Sequence, residues 1–493
     1  MYKKYLAVFI LILTTIVGFS QELKFSDAPE FYRLYARDKS DSAEVNVSGH
    51  VQGNPGFSEL ELKVFKDGIL YDTQTDSITN KRFSLSAKIH SGLHQFKFEL
   101  YAKTNNADSL CFTADSVVCG DVYIISGQSN SHASSNLSTF SSPYCRSFGV
   151  KTGYEAYNED DKKVRWGRAS GNCPELEGIG GWFTKNPYGI GVWGMELARL
   201  IVEKHKIPVC IINGGSGSSS IELNMLYPEK PSLETSFGRL AYRVNQAGLK
   251  DKVKAILWHQ GETDSDERYQ SYAEKFDVLL KDWKRVYTRL EKIYLFQLHP
   301  GCGGDYQSEM REIQHQNAKR YPMIDIMSTT GVTGHDGCHF SYEGYCEFAQ
   351  GIFPLLSRDF YGKKADYIIT PPKLLNAAYK TKNQIVLEFD QLIGAEEKLE
   401  VKGKVHELKD QFFFSKEKNG QQDIGVVKNV EIENTQIILT LKDGALYNYI
   451  TYLPNMYYLN TKDVYAGPWI EGLENNLGAL SFDRRTIKNQ VMN

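Results

Sequence analysis

Apolar and polar side chains alternate along the chain from about Leu23 to Val118. Runs such as Leu60–Phe65 and Phe83–Ala87 place every second side chain on one face, and Asp67-Gly68 separates two such runs. Alternation over about four to eight residues is typical of half-buried β-strands, and glycine after aspartate suits the positive φ of a tight turn. The pattern predicts an all-β N-terminal domain with the architecture of a sandwich.

The pattern changes between about Asp121 and Gly362 to apolar runs separated by amphipathic segments. The clearest segment, Tyr269 to Leu290, has apolar side chains at spacings of three and four residues, which predicts a helix with one buried face. The apolar runs predict buried parallel strands at Val122–Ile125, Val209–Ile212, Val253–Trp258, Ile293–Phe296 and Met323–Met327. Strand–helix alternation of this kind predicts a three-layer, doubly wound α/β domain whose ligands bind at the carboxyl ends of the strands.

Alternation returns after Pro371-Pro372, in runs such as Gln384–Phe389 and Ile437–Leu441. This predicts a second β domain in the C-terminal part of the chain. A length of 493 residues suits such a division, because an ordinary domain has roughly 100–200 residues.

The first residues of the chain have the features of a secretory signal peptide. Lys3 and Lys4 precede an apolar run, Leu6 to Val17, and small residues follow before Gln21. The run is short for a membrane span, which needs about 20 residues. We expect export to the periplasm or the cell exterior, and these segments: a signal peptide at 1–20, the N-terminal β domain at 21–118, the α/β domain at 119–362 and the C-terminal β domain at 363–493.

The charge and composition of the chain limit the classes of molecule that it is expected to bind. The 57 basic and 60 acidic side chains leave a formal net charge of −3, and hydrophobic residues make up 41% of the chain. A chain so balanced has no general electrostatic attraction for nucleic acid or an anionic membrane. We therefore expect no nucleic-acid partner and no membrane insertion, and the sequence leaves the oligomeric state open.

Eight cysteines are available for disulfides in an exported protein. Cys111 with Cys119 and Cys145 with Cys173 are near enough in sequence to form local pairs, whereas Cys210 lies in an apolar run and is expected to be a free core residue. The spacings match no paired zinc pattern, so no structural metal is expected.

A serine follows the first predicted strand of the α/β domain. The strand Val122–Ile125 leads through Gly127 to Ser129. A serine at the end of a buried strand presents its hydroxyl and its N–H to the crevice, as a nucleophile requires. The surrounding residues do not form the G-x-S-x-G elbow, and an ordinary turn serine fits the same short pattern.

A candidate base and its acid share one loop after the last predicted strand. A hydroxyl is a poor nucleophile at neutral pH and needs an adjacent histidine, which in turn needs a carboxylate to hold its tautomer. Asp336 and His339, three residues apart, can meet over a single turn. A surface loop with a capping aspartate is the alternative explanation.

Two further loops follow strands and carry hydrogen-bond donors. The glycine- and serine-rich segment 213–221 lets backbone N–H groups approach a ligand closely, because glycine has no side chain. The segment 258–264 offers the side-chain amide of Gln260. Such donors stabilise an oxyanion, each by roughly 3–4 kcal/mol in the transition state. A phosphate cradle is the alternative for the first loop, but the P-loop lysine is absent.

These blocks follow one another as Gly127-Gln128-Ser129-Asn130, the glycine-rich loop, Trp258-His259-Gln260-Gly261-Glu262 and Asp336-x-x-His339. Together they resemble the SGNH hydrolase superfamily, and specifically its sialate O-acetylesterase-like (acetylxylan esterase-like) carbohydrate esterases. The resemblance covers about residues 119–362. It implies a flavodoxin-like catalytic domain that hydrolyses acetyl esters of sugars, without a metal or an organic cofactor.

The resemblance also assigns roles to individual residues. It implies a catalytic triad of Ser129, His339 and Asp336. It implies an oxyanion hole formed by the Ser129 N–H, a backbone N–H of the second loop and the Gln260 side chain. Gly217-Ser218-Ser219 stands where relatives commonly have Gly-Gly-Thr, which selects Gly217 as the second donor.

Three more residues are candidates for substrate contacts. His132 either touches the substrate or has a structural partner at the start of a helix. Glu262 either orients the Gln260 loop or takes part in acid–base chemistry. Arg311 matches a position where relatives often carry arginine, and it either faces the site or pairs with a carboxylate.

Cys338 lies between the predicted acid and base. A bridge from Cys338 to Cys302 or to Cys346 would brace the catalytic loop, and this pairing is a hypothesis.

The combined interpretation is a serine carboxylic-ester hydrolase that removes O-acetyl groups from sialate or from polysaccharide. An esterase of other acyl groups is the alternative within enzymes. A carbohydrate-binding protein with a decayed catalytic domain is the alternative from another class. Specificity depends on loop geometry, so the sequence does not identify the sugar.

Overall fold

The computed structural model describes residues 23–53, 56–104, 108–133, 137–150, 164–171, 187–225, 233, 235–401, 403–454 and 466–489. The predicted signal peptide, 1–20, lies outside the described residues. None of the described helices is long and apolar enough to cross a membrane.

A mixed sheet forms the centre of the molecule. Its central strands are β8 (Ser109–Gly127), β9 (Cys145–Val150), β10 (Val164–Arg168), β11 (Val209–Asn213), β12 (Ala255–His259), β13 (Lys292–Gln297) and β14 (Ile324–Ser328). They lie in the order β10-β9-β11-β8-β12-β13-β14. Neighbours are parallel except β10 with β9, which are antiparallel. The five parallel strands predicted from apolar runs are confirmed, and β9 and β10, which the pattern did not indicate, extend one edge.

Helices cover both faces of this sheet. They are α1 (Ser129–His132), α2 (Val192–His205), α3 (Ser236–Gln246), α4 (Tyr269–Val286), α5 (Gln307–Arg320) and α6 (Tyr342–Tyr361). Alternate β8 side chains point to opposite faces: Val122 and Ile124 pack with α3 and α4, and Tyr123 and Ile125 pack with α2 and α6. Burial on both faces explains why the strands are apolar throughout. The predicted helix that starts at Tyr269 is confirmed.

Two antiparallel layers enclose a core in the N-terminal region. Its strands are β1 (Leu23–Asp27), β2 (Leu34–Ala36), β3 (Ser42–Val51), β4 (Glu59–Lys66), β5 (Ile69–Ser77), β6 (Arg82–His90) and β7 (Phe96–Lys103). One layer has the order β1-β3-β6, and the other places β4 between β5 and β7. The first half of β8 pairs with β7, and its second half pairs with β11 and β12. One strand therefore belongs to both the N-terminal region and the central sheet.

The C-terminal region is again built of strands. They are β15 (Leu374–Thr381), β16 (Gln384–Phe389), β17 (Ile393–Gly394), β18 (Lys398–Val401), β19 (Lys404–Glu407), β20 (Phe412–Ser415), β21 (Val427–Glu433), β22 (Gln436–Leu441), β23 (Tyr449–Tyr452), β24 (Glu471–Gly472) and β25 (Phe482–Thr486). A four-stranded sheet, β15-β16-β22-β21, and a three-stranded sheet, β20-β23-β25, share one apolar core. The chain thus has a mixed α/β region between two β regions, as the pattern of apolar and polar residues in the sequence predicts.

Candidate active site

Ser129 lies just beyond the carboxyl end of β8. The turn depends on Gly127, which has a φ of 133°, and a Cβ there would lie 2.0 Å from the carbonyl oxygen of His259. The Gln128 N–H then donates to that same carbonyl at 2.9 Å. Only glycine allows β8 and β12 to approach this closely before the chain turns. The half-buried Ser129 therefore begins the short helix α1 at the edge where ligands of parallel sheets bind.

His339 meets Ser129 at this edge. Its Nε2 lies 3.0 Å from the Ser129 Oγ, a hydrogen bond between residues 210 positions apart. His339 belongs to the loop between β14 and α6, and its side chain is exposed. The geometry brings together the serine and the histidine that the sequence selects.

Asp336 lies in the same loop as His339, and its carboxylate binds the backbone. Oδ1 accepts hydrogen bonds from the N–H groups of Cys338 and His339, both at 2.8 Å. Burial opposes ionisation, but these two bonds and the neighbouring His339 outweigh it and hold the pKa of Asp336 below its ordinary value. Among the hydrogen bonds of the described residues there is none from the His339 ring to Asp336. The structure thus shows a charged carboxylate beside the histidine that shapes its loop.

Asn130 connects the turn of Ser129 to four other segments. Its side-chain amide donates to Glu262 Oε1 at 2.8 Å and to the Cys338 carbonyl at 2.9 Å. Its Oδ1 accepts from the Tyr345 hydroxyl at 2.8 Å, and its backbone carbonyl accepts from the Trp193 indole at 3.0 Å. Asn130 is only 3% exposed. The sequence analysis missed this role, although Asn130 directly follows Ser129 in the first block.

Glu262 is buried close to His339, and only 4% of its surface is exposed to a substrate. It is buried against Asn130, and its Oε1 is 3.4 Å from Nδ1 of the buried His259. Burial raises the pKa of Glu262 and lowers the pKa of His259 to about 3. Burial therefore shifts both residues toward their neutral forms. Glu262 is hydrogen-bonded to Asn130, and its predicted roles, orientation of the Gln260 loop or acid–base chemistry, stay predictions.

The second loop is held against the nucleophile turn. The Ser216 N–H and the Ser219 hydroxyl both donate to the Gly127 carbonyl, at 3.0 and 3.2 Å. Among the described residues, no acceptor contacts the backbone N–H of Ser129 or of Gly217. Both N–H groups are therefore unpaired in the described part of the chain, as the donors of an oxyanion hole must be.

The Gln260 side chain is placed differently from its prediction. It is fully buried, and its amide donates to the Asp264 carboxylate and, at 3.1 Å, to the Ser219 carbonyl. Its Oε1 accepts from the Tyr272 hydroxyl at 2.9 Å. An amide already satisfied by a carboxylate and a carbonyl is not a free donor at the site surface. In this structure Gln260 ties the loops after β11 and β12 together.

Two other predicted contact residues also lie inside the protein. His132 is 4% exposed, at the last position of α1. Arg311 is fully buried, and its guanidinium donates to Ser481 Oγ at 2.9 Å and to the carbonyl oxygens of Leu453 and Pro454 at 3.1 Å. Arg311 therefore joins α5 to the C-terminal region.

A disulfide braces the catalytic loop. Cys338 is bonded to Cys302, with a sequence separation of 36, and Cys346 is a free thiol. The hypothesis of a bridge at Cys338 is confirmed with Cys302 as its partner. The bridge ties the loop of His339 to the loop that follows β13.

One of the two local cysteine pairs predicted in the sequence can be checked among the described residues. Cys111 and Cys119 are buried and not bonded to each other, which contradicts their predicted bridge. Cys145 is a buried thiol, and its predicted partner Cys173 lies outside the described residues. Cys210 is a free core residue, as predicted.

One family profile and two solved structures are similar to this chain. The profile of the family "Carbohydrate esterase, sialic acid-specific acetylesterase" matches residues 119–354. A solved structure of a carbohydrate acetylesterase from Xanthomonas citri is 13% identical, with a TM-score of 0.61 over 94% of this chain and 99% of that chain. A protein from Arabidopsis thaliana is 18% identical, with a TM-score of 0.38 over 49% of this chain and 99% of that chain.

A search of curated protein sequences found no match. The likeness to the Xanthomonas citri protein shows a shared fold. The family match falls on the region that holds Ser129, the second loop, the Gln260 block and His339. The match to this family of carbohydrate esterases over residues 119–354 confirms the resemblance stated from the sequence.

Proposed function

We propose that this chain is a serine esterase that removes O-acetyl groups from carbohydrate, in a flavodoxin-like, three-layer SGNH domain. The observation that carries the proposal is the 3.0 Å hydrogen bond between His339 Nε2 and Ser129 Oγ. A hydroxyl within reach of an imidazole, at an accessible edge of the sheet, is the arrangement that nucleophilic acyl transfer needs. The family match over residues 119–354 supports a sugar ester as the substrate.

The first step forms an acetyl-enzyme. His339 Nε2 accepts the Ser129 proton as Oγ attacks the carbonyl carbon of the acetyl group. The tetrahedral intermediate then collapses: the bond from that carbon to the sugar oxygen breaks, and the sugar leaves as an alcohol with the proton from His339. Asp336, charged at neutral pH because its pKa is lowered, stabilises the imidazolium that forms between these events.

The second step releases acetate. Water gives a proton to His339 and attacks the same carbonyl carbon, and the returning proton restores the Ser129 hydroxyl as acetate leaves. In both steps negative charge develops on the carbonyl oxygen. The N–H groups of Ser129 and Gly217 are the donors we assign to it, because no described residue accepts from either of them.

Acetylated carbohydrate is the proposed partner, and sialate and polysaccharide esters are the two substrate classes in question. We also propose that the protein is exported. The segment 1–20 supports this through its sequence, and the Cys302–Cys338 disulfide suits an oxidising compartment.

The direct test is acetate release from 9-O-acetyl sialic acid, acetylated xylan and acetylated pectin. We expect release from one class, and its loss in Ser129→Ala by a factor of at least about 10³. Ser271→Ala is a matched control, because Ser271 lies at the start of α4 and its hydroxyl only caps a local turn. Full activity of Ser129→Ala would refute the proposed nucleophile.

The two alternatives predict other results with the same samples. An esterase of other acyl groups would hydrolyse longer 4-nitrophenyl esters faster than the acetate. A binding protein with a decayed catalytic domain would bind a glycan and release no acetate from any substrate.

A further inference from the structure

A second pocket lies between the catalytic region and the C-terminal β region. Its volume is about 470 Å³, within the range of about 300–1,000 Å³ that small-molecule sites occupy. Helix α5 contributes His315 and Lys319, β14 contributes Ile324–Ile326, and the C-terminal region contributes Lys373–Leu375 and Arg485. None of its lining residues belongs to the loops of the candidate active site.

The walls of this pocket are firmly joined. On α5, Glu309 pairs with Arg484 at 2.9 Å, and Glu312 accepts from the Asp483 N–H at 3.1 Å. The buried Arg311 guanidinium adds its bond to Ser481. The pocket is therefore formed between elements already held in place, so a ligand would meet a preorganised surface.

A polar atom at this pocket has no partner. His315 is only 8% exposed, and its Nδ1 has no hydrogen bond among the described residues. Burial, and then the cations Arg485, Lys373 and Lys319, lower the pKa of His315 to about 4, so the ring is neutral at pH 7. An unpaired buried polar atom is destabilising. A ligand hydroxyl at Nδ1 would remove that penalty.

Three of the lining side chains are cations, and one is a carboxylate. Lys319 has no ion pair with a described residue, whereas Lys373 pairs with Asp390 at 3.5 Å and Arg485 pairs with Glu312 at 3.6 Å. Asp325, the carboxylate among the lining residues, is already paired with Lys292 and Arg358, both at 2.9 Å.

Apart from Thr370, the remaining lining is apolar. The aliphatic and proline side chains are Pro322, Ile324, Ile326, Pro371, Leu374, Leu375 and Leu480. The pocket thus combines an apolar wall, an unpaired imidazole nitrogen and three cations in one small volume.

We infer that this pocket binds an acidic sugar, a pyranose ring that carries a carboxylate. Each part of such a ligand has a counterpart here: the C–H face packs on the aliphatic wall, the hydroxyls bond to His315 Nδ1 and Asp325, and the carboxylate meets Lys319, Lys373 and Arg485. The inference does not depend on the proposed hydrolysis, because the pocket shares no residue with Ser129 or His339. It adds a site at which the protein holds a glycan without cleaving it.

Titration calorimetry of the full chain tests this site, with N-acetylneuraminate and glucuronate as acidic probes. Glucose is the neutral control, and sodium acetate tests for simple anion binding. We expect at least one acidic sugar to bind, more tightly than acetate, and glucose to show no binding. The acidic sugar that binds more tightly shows whether the natural ligand carries a sialic acid or a uronic acid.

Variants locate the binding. Lys319→Glu and Arg485→Gln should each weaken the acidic sugar at least tenfold, whereas Lys284→Glu, an equal charge change on the exposed side of α4, should not. Hydrolysis of 4-nitrophenyl acetate by Lys319→Glu should stay at the wild-type rate. The inference is wrong if neither acidic sugar binds, if acetate binds equally well, or if both pocket variants retain wild-type affinity.

Discussion

The side-chain amide of Asn130 donates to the backbone carbonyl of Cys338 at 2.9 Å, and so joins the residue after Ser129 to the loop that carries His339. The same amide also donates to the buried Glu262. The distance between nucleophile and base therefore depends on a residue that touches neither reacting atom. Asn130 is a positioning residue in this site.

Replacement of Asn130 by alanine should lower kcat by about 10²-fold, because a displacement of about 1 Å between reacting groups has an effect of that size. KM should change little, since Asn130 is buried. Steady-state kinetics with 4-nitrophenyl acetate measure both quantities.

Tyr345→Phe is the comparison variant, because it removes one hydrogen bond to Asn130 and leaves the amide contacts in place. Tyr345→Phe should lower kcat less than Asn130→Ala does, and it should lower the free energy of unfolding by about 0.5–1.5 kcal/mol. A kcat of Asn130→Ala within twofold of the wild type would contradict a positioning role.

The Cys302–Cys338 bridge should support both stability and turnover. A bridge that closes a segment of 36 residues contributes about 3–4 kcal/mol in the chain-entropy treatment. Cys302→Ser should therefore lower the free energy of unfolding and also lower kcat, because the loop of His339 loses its anchor. Urea denaturation and ester hydrolysis provide the two measurements.

Cys346→Ser provides the control for thiol removal, since Cys346 is free. It should retain wild-type stability. Mild reduction of the wild-type protein should reproduce the Cys302→Ser kinetics, and an unchanged kcat after full reduction would show that the bridge does not hold the loop.

Arg311 should matter for stability and not for substrate binding. Arg311→Met leaves Ser481 and two carbonyl oxygens without their donor, and each unpaired buried group costs about 1–3 kcal/mol. We expect a lower Tm with an unchanged KM for 4-nitrophenyl acetate. A raised KM at wild-type Tm would restore the substrate-binding role that the sequence left open.

Acid should destabilise the protein partly through His315. Its pKa is lowered from 6.5 to about 4 in the folded state by burial, then by Arg485, Lys373 and Lys319, with Asp390 acting in the opposite direction. Between these values the unfolded chain binds a proton that the folded chain does not. This group therefore reduces stability as pH falls from 6.5 toward 4, by up to about 1.4 kcal/mol per pH unit.

His315→Gln should flatten the dependence of unfolding free energy on pH within that window and leave it unchanged above pH 7. Urea denaturation at several pH values measures the slope. Equal slopes for the variant and the wild type would mean that His315 is protonated in the folded state.

Uninterrupted apolar runs predicted the central strands, and apolar spacings of three and four residues predicted the long helix. Both patterns are local in sequence because the side chains that become buried lie close together along the chain. Val209–Asn213 and Ala255–His259 are buried at every position, so no alternative to a two-sided core strand fits them. Strand β9 escaped prediction because its sequence, Cys145–Val150, includes a buried arginine and serine. The Arg146 guanidinium donates to the Ser116 carbonyl at 2.8 Å, a tertiary contact that a local pattern does not contain.

The sequence predicts site residues well where the chemistry requires one residue type. It predicts them less well where tertiary packing determines which partners a side chain contacts. Ser129 and His339 meet because each follows a strand of one parallel sheet. Gln260 follows a strand too, but its amide is taken by Asp264 and Ser219, and that competition is invisible in the sequence. Arg311 likewise finds its acceptors in a region about 140 to 170 residues away.

Strand β8 has a consequence for how this protein can be divided. Residues 109–117 of the strand complete the N-terminal layers, and residues 121–127 of the same strand lead to the nucleophile. A chain shortened to begin at residue 119 would separate the half of β8 that pairs with β7 from the half that leads to Ser129. The N-terminal layers and the nucleophile should therefore unfold as one cooperative unit, and proteolytic nicking within β8 should abolish both together.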